Sequence, residues 1–177
     1  MKMITTTICF LLFIHRTVAS CDITDANFQD YVDEWITNST NHPCGEVIGD
    51  WDVSNVTDMS YVFCSISSLS KCNTARANFN EDLSGWNTSS VTSLEGTFRD
   101  ATSFNSDISQ WDTSSVTTLE GTFKDATSFN SDISQWDTSS VTSLYYTFRS
   151  ATSFNSDISQ WDTSSVTSLY YTFRSAT

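Results

Sequence analysis

Aspartate and serine side chains recur along the chain with a period of 25 residues. The clearest row consists of three such pairs, Asp107 and Ser109, Asp132 and Ser134, and Asp157 and Ser159. Carboxylate and hydroxyl oxygens aligned on one face could bind Ca²⁺ or a polar ligand, because hard cations prefer oxygen ligands. The alternative is that each carboxylate accepts backbone N–H groups at its own turn. The row is therefore a candidate ligand or cation face. We expect no cofactor, and Ca²⁺ at this row is the one candidate ion.

A second candidate site is aromatic. Four tyrosines form candidate recognition side chains, Tyr145, Tyr146, Tyr170 and Tyr171. The preceding repeat has Glu120 and Gly121 in place of the first pair. Tyrosine is favoured at recognition surfaces because it offers a large area and a polar tip at a low entropy cost. Packing between neighbouring repeats is the alternative role.

The chain offers little material for catalysis. His42 is the only histidine after the first 20 residues, and its neighbour Pro43 predicts a loop position. The sequence has neither the Gly-x-Ser-x-Gly motif of hydrolases nor the His-Glu-x-x-His motif of metalloproteases. Acid–base catalysis needs two carboxylates in one pocket, whereas a repeat produces rows of them. We predict that the protein is not an enzyme, and we assign no metal site.

Four cysteines follow the first 20 residues, Cys21, Cys44, Cys64 and Cys72. An even number of cysteines in a secreted chain predicts disulfides, and four cysteines allow three connectivities. We prefer Cys64 with Cys72 and Cys21 with Cys44, because each pair closes a local excursion of the chain.

Three Asn-x-Ser/Thr sequons make Asn38, Asn55 and Asn87 candidate glycosylation sites. Asn38 follows a predicted helix and is the best acceptor of the three. Asn55 and Asn87 lie inside the repeats. All three depend on a host that glycosylates asparagine.

The net charge of -13, from 8 basic and 21 acidic residues, excludes two classes of partner. Nucleic-acid binding needs clustered Lys and Arg against phosphates, and docking on anionic lipid needs a basic patch. We therefore predict no nucleic-acid partner. An extracellular protein or a glycan is the expected partner.

Residues 1–20 have the pattern of a secretory signal peptide. Lys2 precedes an apolar run that is shorter than the about 20 residues needed to span a bilayer. We therefore predict no transmembrane segment and a secreted or cell-surface location. Residues 18–21 also resemble a bacterial lipobox, so Cys21 would carry a lipid anchor in a bacterial host.

An internal repeat dominates the chain. Phenylalanine followed by asparagine recurs with a period of 25 residues, at Phe79, Phe104, Phe129 and Phe154. Segments 104–128 and 129–153 differ at five positions, and segments 129–152 and 154–177 are identical. One unit cannot bury its own Ile, Trp, Val, Leu and Phe side chains, so the units must stack.

Within one unit the residue pattern changes from strand-like to helix-like. Residues 107–111 form a short β-prone stretch. Val116, Leu119 and Phe123 then follow with helical spacing. The sequence predicts an α/β repeat solenoid of the leucine-rich-repeat type, with one short parallel strand and one short helix in each 25-residue coil.

The chain divides into three parts. Residues 1–20 are the signal peptide, and residues 21–43 form an N-terminal capping helix. Residues 44–177 form the solenoid, with an insertion at 64–73. Because the sequence stops inside a repeat unit, we expect a solenoid that is truncated at its C-terminus.

The unit FNSDISQWDTSSVTSLYYTFRSATS closely resembles the repeat of the BspA-type leucine-rich-repeat surface proteins. The matching core is Phe-Asn-x-Asp-Ile-Ser-x-Trp-Asp-Thr-Ser-Ser-Val-Thr, and the resemblance covers residues 44–177. It implies a leucine-rich-repeat-like solenoid at the cell surface, used for adhesion or recognition, and it transfers no catalytic residues. The insertion and the missing C-terminal cap depart from the family pattern.

Two functions remain open from the sequence. The first is a secreted or cell-surface, non-enzymatic scaffold for recognition or adhesion. The alternative is a structural or mineral- or ice-contacting repeat protein with cation-binding Asp rows.

Overall fold

The computed structural model describes residues 21–176 of the chain. The predicted signal peptide at residues 1–20 lies outside the described residues. The described part contains the helix α1, Phe28–Thr37, and two short 3-10 helices, Ile48–Asp50 and Thr74–Asn78. None of these helices lies in the described repeats after residue 78.

The repeats stack as five coils, which we number coil 1 to coil 5. Their residues are 48–78, 79–103, 104–128, 129–153 and 154–176. Each coil pairs with the next through an isolated parallel bridge, and the bridging residues form one column, Asp58, Ser93, Thr118, Ser143 and Ser168. Since each bridge involves one residue per coil, the described residues contain no continuous strand and no sheet.

The backbone hydrogen bonds after each bridge alternate between two directions. In coil 3 the N–H groups of Leu119 and Gly121 donate to coil 4, to the carbonyls of Ser143 and Tyr145 at 3.1 and 2.8 Å. The next N–H, that of Thr122, turns back to the Leu119 carbonyl of its own coil at 3.2 Å. One set of amides thus holds neighbouring coils together, while the other set closes tight turns.

The predicted α/β solenoid, with a strand and a helix in each coil, is wrong. Residues 107–111, expected as a strand, form a turn in which the Trp111 N–H donates to the Ile108 carbonyl at 3.2 Å. Residues 116–123, expected as a helix, contain the bridge at Thr118 and a left-handed residue, Gly121, with φ 60°. A left-handed residue interrupts an α-helix, and the surrounding Ser, Thr and Val have little helix propensity to oppose the bonds between coils.

Aromatic side chains form stacked columns in the core. Indole rings of successive coils are nearly parallel and 6.2 to 6.4 Å apart, in the column Trp86, Trp111, Trp136 and Trp161. Each indole N–H donates to a backbone carbonyl of an earlier coil, as Trp136 does to Ile108 at 3.1 Å. The phenylalanines of the middle coils are fully buried beside this column, among them Phe98 and Phe123. The core therefore lies where the repeat pattern requires it.

Buried threonines connect the coils inside this core. Thr97, Thr122 and Thr147 have no exposed surface. The Thr122 hydroxyl lies 2.9 Å from the Leu94 carbonyl of coil 2, and the Thr147 hydroxyl lies 2.9 Å from the Leu119 carbonyl of coil 3. Each buried hydroxyl thereby has a hydrogen-bond partner, and the bond links its coil to the preceding one.

Helix α1 lies within the predicted capping segment and packs on the first coils. Its Phe28 ring is 5.6 Å from the Trp86 ring. Asp33 of the same helix forms an ion pair at 2.5 Å with Arg76, which is fully buried. A guanidinium N–H of Arg76 also donates to the Tyr61 carbonyl at 3.2 Å. The buried arginine thus joins α1 to coil 1.

Two disulfides link Cys21 to Cys44 and Cys64 to Cys72, with Cα–Cα distances of 5.0 Å in both. This is the connectivity preferred from the sequence. The first bond joins the two ends of the α1 segment, and the second closes the insertion. A lipid anchor at Cys21 in a bacterial host would take the place of the first disulfide, and it stays a prediction.

Candidate functional site

The four candidate tyrosines lie together on the surface of coils 4 and 5. We call this set the tyrosine strip: Tyr145, Tyr146, Tyr170 and Tyr171. The rings of Tyr145 and Tyr170 are 5.7 Å apart and inclined by 9°, and those of Tyr146 and Tyr171 are 5.5 Å apart and inclined by 7°. The strip follows the bridge column by two and three residues, so the stacking of the coils aligns the rings. Each ring packs on its copy and keeps solvent exposure.

One tyrosine of each pair has an unusual backbone conformation. Tyr146 and Tyr171 have φ values of 60° and 58°, in the left-handed region. Coils 2 and 3 place Gly96 and Gly121 at the same position, with φ 58° and 60°. In coil 1 Tyr61 also takes this conformation, with φ 63°. Glycine adopts the left-handed region without steric cost. The same turn forms with glycine in coils 2 and 3, so the turn itself does not require a tyrosine at this position.

Two arginines lie over rings of the tyrosine strip, and the sequence analysis did not identify them. The guanidinium of Arg149 lies 5.1 Å from the centre of the Tyr146 ring, and that of Arg174 lies 4.6 Å from the Tyr171 ring. The Lys124 ammonium lies 5.5 Å from the Tyr146 ring. A comparison of the repeats offered the signal, since each arginine follows its tyrosine by three residues in both copies.

The equivalent cations of coils 2 and 3 have carboxylate partners. Arg99 lies 3.4 Å from Asp100, and Lys124 lies 3.7 Å from Asp125. Burial lowers the pKa of Lys124, and the positive charge of Arg99 adds to this effect. Burial also raises the pKa of Glu120, with a further contribution from the charge of Glu95. Coils 2 and 3 thus carry carboxylates beside their cations on this face, whereas coils 4 and 5 carry the tyrosine strip and its two arginines.

The carboxylates of the Asp row accept hydrogen bonds within their own turns. Asp107 accepts the backbone N–H of Ser109 at 2.9 Å, and Asp132 and Asp157 accept those of Ser134 and Ser159 at the same distance. These bonds lower the pKa of Asp132 and Asp157. This is the arrangement that the sequence offered as the alternative to a ligand face. Residues 21–176 contain no group of three or more His, Cys, Asp or Glu that could hold a metal ion.

Two stretches of the chain, residues 30–118 and 67–177, match the family described as "Mycoplasma protein of unknown function, DUF285". The chain belongs to this family. The match supports a family of repeat surface proteins, in agreement with the resemblance read from the sequence, and does not test the BspA-type motif itself. A search of curated proteins and a search of solved structures gave no match.

The features of this family member fit an extracellular location. Two disulfides are typical of proteins in oxidising compartments. Within the described residues, no helix is long and apolar enough to cross a membrane. A repeat surface protein is the class of protein that these observations support.

The three sequon asparagines are exposed in this family member. The amide oxygen of Asn38 accepts the Thr40 N–H at 3.1 Å, just after helix α1. The amide oxygen of Asn87 accepts the Ser89 hydroxyl hydrogen at 2.8 Å. Asn55 lies in coil 1, and glycosylation at all three positions stays a prediction.

A cavity of about 480 Å³ lies beside the insertion of coil 1. Its lining includes Tyr61, Lys71 and Glu95. The Tyr61 hydroxyl donates a hydrogen bond to Glu95. Burial, reinforced by this bond, raises the pKa of Tyr61 to about 12. Two of the polar groups that line the cavity, the Tyr61 hydroxyl and the Glu95 carboxylate, are thus bonded to each other.

Proposed function

We propose that this chain is a non-enzymatic recognition protein of the extracellular surface, and that the tyrosine strip contacts its partner. The single observation that carries the proposal is the stacked pair of rings that Tyr146 and Tyr171 form on left-handed backbone. A side chain in this region costs about 1 kcal/mol relative to glycine. Strain that the fold does not require is concentrated at functional positions in proteins.

The chemistry of the strip supports the same role. Tyrosine gives rigid contact area and a polar tip, and arginine gives directional hydrogen bonds, so both are enriched in binding surfaces. The strip combines two stacked pairs of tyrosines with the cations of Arg149 and Arg174. Repetition along the stack also suits adhesion, because linked weak contacts bind more strongly together than singly.

The test measures binding of the folded, disulfide-bonded protein to a panel of immobilised matrix proteins and oligosaccharides, neutral and acidic. The test variant combines Tyr145→Ser and Tyr170→Ser, two positions without left-handed backbone. The control combines Gln135→Ser and Gln160→Ser, which are exposed in the same two coils outside the strip. Thermal unfolding establishes that both variants are folded.

We expect the control to bind like the wild type and the strip variant to lose at least tenfold in affinity. Equal binding of the strip variant and the control would contradict the proposal. Loss of folding in the strip variant alone would assign the rings a structural role instead.

A further inference from the structure

Coils 3 and 4 differ only in one short part of their surface. The five differences between segments 104–128 and 129–153 all fall between residues 118 and 125 of coil 3, or 143 and 150 of coil 4. They exchange Thr118 for Ser143, Glu120 for Tyr145, Gly121 for Tyr146, Lys124 for Arg149 and Asp125 for Ser150. The rest of each coil, including the buried core, is the same. The fold therefore accepts both versions of this surface.

These exchanges reverse the net charge of this part of the surface, from negative in coil 3 to positive in coil 4. In coil 3 this part carries Glu120, Lys124 and Asp125, whereas in coil 4 only Arg149 is charged. Coil 5 repeats the coil 4 pattern with Arg174. Within residues 21–176, no carboxylate oxygen lies within 4.0 Å of the Arg149 or Arg174 guanidinium. In a protein with a net charge of -13, two arginines of neighbouring coils thus have no carboxylate partner among residues 21–176.

The tyrosines hold these arginines in position. Each guanidinium lies over the ring of the tyrosine three residues before it, at 5.1 Å for Arg149 and 4.6 Å for Arg174. The rings beneath them are 5.5 Å apart. A guanidinium held over a ring still carries five N–H donors, and two of these can bind one carboxylate. The pair is thus preorganised to bind anions.

We propose that Arg149 and Arg174, supported by the tyrosine strip, bind a carboxylate-bearing sugar of an extracellular glycan. This inference rests on the proposed function and names its ligand class. The guanidinium groups bind the sugar carboxylate. The hydroxyls of Tyr145, Tyr170, Ser150 and Ser175 lie in the same two coils and supply donors and acceptors for the ring hydroxyls.

The observations favour an acidic sugar over other anions. A nucleic acid or an anionic membrane needs a larger cluster of cations, and the remaining surface of this acidic chain repels both. An acidic peptide carries its carboxylate on a flexible side chain, whose ordering costs binding free energy. A sugar ring holds its carboxylate and hydroxyls rigidly, which suits a site made from two pairs of fixed rings.

The experiment measures binding of an oligogalacturonate tetrasaccharide, a neutral glucose tetrasaccharide and a tetraglutamate peptide to the whole folded protein. The loss variant gives coil 4 the surface of coil 3, through Tyr145→Glu, Tyr146→Gly, Arg149→Lys and Ser150→Asp. The gain variant does the reverse in coil 3, through Glu120→Tyr, Gly121→Tyr, Lys124→Arg and Asp125→Ser. Every introduced residue already occurs at the equivalent position of the neighbouring coil, so we expect both variants to fold.

We expect the wild type to bind oligogalacturonate, and the loss variant to bind it at least tenfold more weakly. The gain variant should bind it several-fold more tightly, because the surface then extends over three coils. Added salt should weaken the binding of oligogalacturonate to the wild type and to both variants.

Three results would overturn the inference. These are equal binding of the neutral tetrasaccharide, tighter binding of tetraglutamate than of the acidic sugar, and unchanged binding in the loss variant. If the neutral sugar or a matrix protein binds through the tyrosines instead, the recognition function stands and only the ligand class fails. If the tyrosine variant binds every partner as the wild type does, the proposed function fails as well.

Discussion

The rings of Tyr146 and Tyr171 stack 5.5 Å apart and nearly parallel, and both residues have left-handed backbone, with φ 60° and 58°. The corresponding residue of coil 3 is Gly121, with φ 60°. The turn is thus the same whether or not a side chain is present. What the tyrosines add is a surface, and they add it at a conformational cost.

The cost can be measured by replacing Tyr146. Tyr146→Ala and Tyr146→Gly both lose the ring contacts, but only alanine keeps a Cβ atom in the left-handed region. We expect the alanine variant to be less stable than the glycine variant by about 1 kcal/mol in urea unfolding. The exposed Thr142 serves as the control, because its φ is not positive. There alanine should be the more stable replacement, and the same order at Tyr146 would contradict the account.

The buried threonines should stabilise the contact between coils. The Thr122 hydroxyl lies 2.9 Å from the Leu94 carbonyl inside the core. Thr122→Val keeps the shape and removes this bond, so we expect a loss of about 1 kcal/mol in the free energy of unfolding. Thr117→Val is the matched control, because the Thr117 hydroxyl bonds to the Thr92 carbonyl at 3.1 Å on the exposed surface. Equal effects of the two substitutions would contradict the assignment.

The sequence predicted which residues are buried better than it predicted the secondary structure. The recurrence of Trp111 and Phe123 defines the core because stacked units bury the same side chains in every coil. The spacing of Val116, Leu119 and Phe123 does not distinguish a helix from an extended residue followed by tight turns, since both bring these side chains inward. Hydrogen bonding to the neighbouring coil decides between them, and a single unit does not contain that information.

The candidate site was predicted in part for the same reason. The substitution of Tyr145 and Tyr146 for Glu120 and Gly121 marked the strip in the sequence. The left-handed backbone has no sequence signal once tyrosine replaces glycine. The position of Arg149 over the Tyr146 ring follows from the folded turn, so the arginine was missed.

The buried Arg76 should make α1 and coil 1 depend on each other. Asp33→Asn removes its ionic partner, and we expect a loss of about 2 kcal/mol in the free energy of unfolding, because the buried Arg76 loses a charge-assisted hydrogen bond. Arg76→Met removes that charge, so Asp33→Asn should cost much less in its presence. A double-mutant cycle in urea measures this coupling. If Asp33→Asn costs as much stability in the Arg76→Met background as in the wild type, the ion pair does not stabilise the fold.

Protonation of His42 should destabilise the fold. Its ring stacks on Trp51 with centres 5.0 Å apart, and its Nδ1 accepts the Cys44 N–H at 3.2 Å. Burial lowers the pKa of His42 below 6.5, although Glu34 opposes the effect. The unfolded chain therefore binds the proton first, and stability falls as pH decreases through about 6.5 and towards the lower folded pKa.

The measurement for His42 compares unfolding at pH 7.5 and pH 5.5 in the wild type and in His42→Asn. The wild type should lose more stability on acidification than the variant, because asparagine does not titrate. The variant retains every carboxyl group, so the difference between the two proteins isolates the histidine. An identical loss in both proteins would show that His42 does not contribute.

The most direct test of the tyrosine strip uses the six tyrosines of the chain as reporters. In a protein with ¹³C-labelled tyrosine rings, NMR spectra are recorded while the oligogalacturonate tetrasaccharide is added. Four ring signals should shift together, those of Tyr145, Tyr146, Tyr170 and Tyr171, while those of Tyr31 and Tyr61 stay in place. Shifts confined to Tyr31 or Tyr61, with the strip unchanged, would contradict the assignment of the strip as the recognition surface.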